Sequence, residues 1–143
     1  MVLSQTAQYA LRGMSVLTAL GPGATARTRD IAAPARVPVD YLSKILRKLV
    51  EAKLLVSVQG HHGGFRLARA PAEITVAEIL GAVDEGIDLQ ECAFGFSKCD
   101  ARKPCPLHPM YSELSEAVKL WATRSTLATA GPFNLLFTPS SRR

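Results

Sequence analysis

The feature that most constrains this chain is a helix with one narrow apolar face, followed almost at once by a glycine-turned hairpin. Over Val39 to Glu51, Leu42, Ile45, Leu46 and Leu49 recur at helical spacing and form a single stripe. That stripe leaves Asp40, Tyr41, Ser43, Lys44, Arg47 and Lys48 on the other faces. Leu54 to Val58 then reads as a strand, Gly60-His61-His62-Gly63-Gly64 as a turn, and Phe65-Arg66-Leu67 as the returning strand.

Two helices are expected before this unit. Thr6 to Leu20 places Ala7, Ala10, Met14 and Leu17 on one face, and Gly21-Pro22-Gly23 ends the run. Thr28 is expected to cap a second helix with Asp30 in its first turn. Pro34 keeps that helix short or kinked, because an interior proline loses a hydrogen bond and clashes with the preceding turn. Three helices and a hairpin in this order are the layout of a winged helix-turn-helix, with the third helix in the major groove and the hairpin alongside. The expected fold class is therefore mainly α with a small β-hairpin wing (α+β), completed by a long C-terminal dimerisation helix.

Charge follows the same division. Residues 1–70 hold ten Lys/Arg against three Asp/Glu, and residues 71–143 hold seven against nine, so the overall +5 conceals a strongly basic first half. A basic surface is compatible with mere solubility, but it also suits double-stranded promoter DNA, whose phosphates reward clustered cations through counterion release. On the winged-helix layout Lys44, Arg47, Lys48 and Arg66 anchor the backbone, while Asp40, Tyr41 and Ser43 are placed for base readout. His61 and His62 stand on the hairpin turn, positioned for the minor groove or a phosphate, or simply for solvent. The competing reading is an ordinary solvated helix face; the basic face, tight turn and hairpin occurring together in order favour DNA contact.

Thr75, followed three residues later by Glu78, is a capping box for a fourth helix, Val76 to Val83, which buries Val76, Ile79, Leu80 and Val83. Residues 88–109 then lose periodicity and hold every cysteine. From Met110 the pattern returns with Tyr111, Leu114, Val118 and Trp121 alternately three and four apart, the spacing of a helix-helix seam. Such a stripe serves an intramolecular core or a dimer, and a chain this small has little left to cover it. The expected organisation is a DNA-binding domain at 1–70, a connecting helix at 71–88, a cysteine-rich loop at 89–109, a dimerisation helix at 110–130 and a flexible tail at 131–143.

Cys92, Cys99 and Cys105 are separated by six and then five residues, and two more precede His108. An odd count argues against a disulfide framework. Three chemistries remain open on the residues alone: an iron-sulfur cluster, a zinc site of three thiolates and one imidazole, and metal-free thiols that sense oxidants. Short Cys-x-x-Cys knuckles, the usual mark of structural zinc, are absent, and the wide gaps suit a larger inorganic core. No fixed Cys/His/Asp constellation suggests an enzyme, and no small-molecule substrate is expected. A small redox protein that meets DNA only incidentally is the remaining alternative. Neither a leader segment nor a long apolar run is evident, so a cytoplasmic location without membrane contact is expected.

Taken together, Ser4 to Arg12 (SQTAQYALR), Asp40 to Leu49 (DYLSKILRKL), Gly60 to Leu67 (GHHGGFRL) and the three cysteines resemble the Rrf2 family of bacterial winged-helix iron-sulfur regulators, of the IscR and NsrR type. The resemblance covers nearly the whole chain. It implies a homodimer built on the C-terminal helix, a cluster loop just before it, and promoter binding altered by cluster state. In IscR-like members three cysteines and a histidine bind a 2Fe-2S cluster, and Cys105-Pro106-Leu107-His108 matches the end of that arrangement. In NsrR-like members a carboxylate near the start of the first helix completes a 4Fe-4S cluster, and this chain has the amide Gln8 there. The first cysteine gap, six residues rather than the usual five, and Pro34 depart from the family pattern.

Overall fold

The computed structural model of the chain describes residues 3–83, 102–103 and 105–130. Its first helix, α1 (Gln5–Ala19), starts where the Ser4 side chain accepts a hydrogen bond from the Ala7 amide at 3.0 Å. Ala7, Ala10, Met14 and Leu17 are all buried, as their spacing predicts.

The second helix, α2 (Thr28–Ala35), is short, and Pro34 falls in its last turn. Thr28 does not cap it. Arg27 occupies the capping position and supplies no side-chain bond, while Thr28 is already helical. The far end closes through Val37 N–H to the Ala32 carbonyl and Arg36 N–H to the Ala33 carbonyl, with Arg36 left-handed at φ 56°. This closure turns the chain sharply into α3 (Val39–Glu51), whose Leu42, Ile45, Leu46 and Leu49 are buried. Full burial of each such side chain contributes about 1.5–3 kcal/mol, which helps hold α3 to α1, α2 and α4 and leaves Asp40, Tyr41, Lys44 and Arg47 outward.

The hairpin consists of β1 (Leu55–Val58) and β2 (Gly64–Leu67), antiparallel with Leu55 opposite Leu67 and Val58 opposite Gly64. Leu54, expected in the first strand, is fully buried just before it. A single 3-10 turn, Pro71–Glu73, leads to α4 (Val76–Val83). The capping box is present: Glu78 accepts from the Thr75 amide at 3.0 Å, and the Glu78 amide donates to the Thr75 hydroxyl at 3.2 Å. Arg69 joins it, 2.8 Å from the Glu78 carboxylate.

The C-terminal helix departs from expectation. It begins at His108 and ends at Arg124, giving α5 (His108–Arg124), and α6 (Leu127–Ala130) follows after a break. The break has a tertiary cause. The Val76 amide donates to the Ser125 carbonyl at 2.9 Å and the Leu127 amide to the Ile74 carbonyl at 3.0 Å, so the backbone at Ser125–Thr126 pairs with the start of α4 instead of continuing a helix. Leu127 enters the core beside α1. No helix among the described residues is long and apolar enough to cross a membrane.

Candidate nucleic-acid interface

The outward face of α3 carries Asp40, Tyr41, Lys44 and Arg47 exposed, with Ser43 half-buried. Tyr41 is 59% exposed and packs edge-on against Tyr9 of α1, ring centres 6.4 Å apart, while the Arg12 guanidinium lies 5.5 Å from the centre of the Tyr9 ring. Tyr9 and Arg12 thus brace one end of the recognition face. Neither was singled out from sequence, because the pairing joins residues of two separate helices. Lys48 behaves differently from Arg47: its Nζ donates to the Val83 carbonyl at 3.4 Å, at the end of α4. Its ammonium is therefore partly committed to the protein body.

Glycines place the wing. Gly64 has φ 143°, and a β-carbon there would run into the Ala26 carbonyl; one at Gly63 would run into the Val58 carbonyl. The close approach lets Ala26 and Phe65 exchange two backbone hydrogen bonds, at 3.0 and 2.8 Å. Two side chains complete the attachment: the Thr25 hydroxyl donates to the His62 carbonyl at 3.1 Å, and Arg27 Nη2 donates to the His61 carbonyl at 3.0 Å. The rings of His61 and His62 are exposed and meet edge-on at 4.8 Å. Arg66 points outward from β2. Arg47 and Arg66 are thus exposed on the recognition helix and on a wing tied to the loop before α2, an arrangement suited to grip a polyanion.

Of the cysteine site, Cys92 and Cys99 lie outside the described residues. Cys105 and His108 are both half-buried, and the His108 amide donates to the Cys105 carbonyl at 3.0 Å, so one turn of chain brings them together at the start of α5. Thiolate and imidazole one turn apart are donors that suit iron or zinc.

The expected seam on α5 divides into two rows. Tyr111 and Val118 are half-buried and Ala122 is buried, whereas Leu114 and Trp121 are exposed at 49% and 42%. Met110, at 80%, and Leu107, at 49%, join that outer row, as does the exposed Ala117. Among the described residues the exposed apolar stripe is therefore Leu107, Met110, Leu114, Ala117 and Trp121, spaced alternately three and four.

Residues 3–130 match the model of the Rrf2 family, described as iron-dependent transcriptional regulators. The chain belongs to this family. It is 33% identical to the transcriptional regulator NsrR of Geobacillus kaustophilus, over 82% of this chain and 80% of that protein. It is 30% identical to the regulator IscR of Aliivibrio salmonicida, over 82% of this chain and 70% of the other. Among solved structures, CymR, the global cysteine regulator of B. subtilis, superposes with a TM-score of 0.76 at 20% identity, covering 90% of this chain and 94% of that one. The IscR of T. potens gives 0.71 at 20% identity, covering 90% and 84%. These likenesses show the winged-helix fold, and the family is one of transcriptional regulators.

Proposed function

We propose that this Rrf2 protein is a homodimeric, DNA-binding transcriptional repressor that senses redox, nitric oxide or iron status through an iron-sulfur cluster. The observation that carries the DNA-binding reading is the exposed cationic face of α3 beside a wing held by Gly64 against Ala26. Lys44, Arg47 and Arg66 hold phosphates, with Lys48 a lesser contributor because of its bond to Val83. Asp40, Tyr41 and Ser43 face base edges, and His61 and His62 flank the duplex. Arg47→Ala is expected to lower affinity for a random-sequence duplex and to flatten its salt dependence by about 0.9 in log-log slope, the signature of one lost phosphate contact. Unchanged affinity and slope would remove α3 from the groove.

For the cluster, the proposed ligands are Cys92, Cys99, Cys105 and His108, holding 2Fe-2S; the neutral Gln8 favours this over 4Fe-4S. The spacing of Cys105 and His108 on one turn is consistent with two ligands to one centre. A bound cluster supplies an iron centre that changes charge and ligation on oxidation or nitrosylation. This chain's own residues Cys105 and His108 would anchor it at the start of α5, on either side of Leu107 in the sequence. Protein purified without oxygen is expected to be coloured, with iron and sulfide in equal amounts, and Cys99→Ala and His108→Ala should bleach or shift the spectrum. Colourless protein containing zinc would replace the cluster with a zinc-bound regulator, and metal-free protein with a thiol switch.

A further inference from the structure

Between the wing turn and α2 lies a shallow, open cleft of about 270 Å³ lined by Thr25, Arg27, Arg29, Asp30, His61 and His62. We propose that this cleft seats a backbone phosphodiester of duplex DNA, a contact in addition to those made by α3 and β2. The inference rests on the DNA-binding reading above and adds two arginines to it. In a helix-turn-helix the helix before the recognition helix crosses the phosphate backbone, and here that helix is α2, whose first residues form one wall. The opposite wall is the wing, already tied to the same loop by the Ala26–Phe65 pair. The cleft is therefore built before any ligand arrives, so binding there orders little chain.

Its chemistry suits a phosphate. Arg27 spends one of its five N–H donors on the His61 carbonyl and is fixed by it, leaving the rest of its fork available. Arg29 is exposed, and among the described residues it makes no ion pair or hydrogen bond. Each imidazole carries an N–H donor even when neutral, so His61 and His62 can serve a phosphate oxygen without gaining a charge. Asp30 opposes an anion, but the lining holds one carboxylate against two guanidiniums. Planar guanidinium forks match the geometry of a phosphodiester better than ammonium groups do.

The test is a salt titration of random-sequence duplex binding by the full chain. Arg29→Gln is expected to reduce the slope by about 0.9 while leaving the thermal midpoint unchanged. Arg27→Lys, which keeps the charge but loses the fork, should weaken binding without changing the slope. If Arg47→Ala weakens binding while neither cleft variant alters affinity or slope, the cleft assignment falls and the DNA-binding reading stands. Wild-type protein that binds no duplex overturns both. A saturable phosphorus NMR shift of inorganic phosphate, lost in Arg29→Gln without any change in DNA slope, would make the cleft a free-anion site and overturn the duplex assignment.

Discussion

Gly64 determines whether the wing can lie where it does, and its cost can be separated from ordinary glycine flexibility. At φ 143° with the Ala26 carbonyl in the way of a β-carbon, Gly64→Ala faces both backbone strain and a clash with main chain that cannot rotate aside. Gly60 has φ 102° but open space around it, so Gly60→Ala meets the strain alone. Strain of this kind costs about 1–3 kcal/mol. Gly64→Ala should therefore lower the melting midpoint clearly more than Gly60→Ala, and should also weaken DNA binding by freeing the wing from Ala26. Equal losses in the two variants would show that the approach to Ala26 does not matter. Arg47 and Lys48 offer a second comparison among neighbours. Because the Lys48 ammonium already reaches the Val83 carbonyl, Lys48→Ala should weaken duplex binding less than Arg47→Ala in the same gel-shift titration.

Among the elements, α4 owes its start to a network that responds to acid. The Thr75 amide, and then the Arg69 guanidinium, hold the Glu78 carboxyl below its ordinary pKa of 4.5. A lowered folded-state pKa means that the ionised form favours folding: the contribution is full above the unfolded value and is lost as pH falls through the folded one. The side chain is 40% exposed, so solvent screening keeps the effect below about 1 kcal/mol. Chemical denaturation should show Glu78→Gln slightly less stable than wild type at neutral pH, with the gap closing in acid. A gap that persists in acid would assign the loss to packing. This box, like the stripes of α1, α3 and α4, was legible in the residues because local spacing alone produces it. The start of α2 was misread because Thr28 is a good capping residue by type, yet Arg27 precedes it in extended conformation and takes the position. The end of α5 was not legible at all. The chain leaves the helix at Ser125, whose carbonyl accepts from the Val76 amide while the Leu127 amide donates to the Ile74 carbonyl, a pairing between residues so distant in sequence that local periodicity cannot record it. The cleft residues Arg27 and Arg29 were missed for the same reason: they meet His61 and His62 only after folding.

At the scale of the whole molecule, the proposed dimer would make the winged helix and the exposed stripe of α5 depend on one another. A winged-helix protomer reads few base pairs, and pairing two protomers matches half-sites about 34–36 Å apart on one face of the duplex. Linking two sites in this way raises affinity by roughly 10²–10⁴ without any new contact. On the proposed dimer a partner would meet the expected Tyr111, Leu114, Val118 and Trp121, of which Leu114 and Trp121 are the more exposed, together with the exposed Leu107, Met110 and Ala117 beside them. A carboxylate in the middle of that row would be buried without a cation, at a cost no surface site imposes. Leu114→Glu and Met110→Glu should therefore sediment as monomers with unchanged far-ultraviolet dichroism, whereas Lys119→Glu, outside the row, should remain dimeric. On a duplex carrying two half-sites the monomeric variants should lose most of the linkage gain, while their weak, salt-sensitive binding to random sequence changes little, because each protomer keeps its own cationic face. If Leu114→Glu sediments with wild type, α5 is not the seam. If it dissociates yet binds paired half-sites as tightly as wild type, each protomer reads DNA alone, and a cluster held at the start of α5 would have no dimer through which to act.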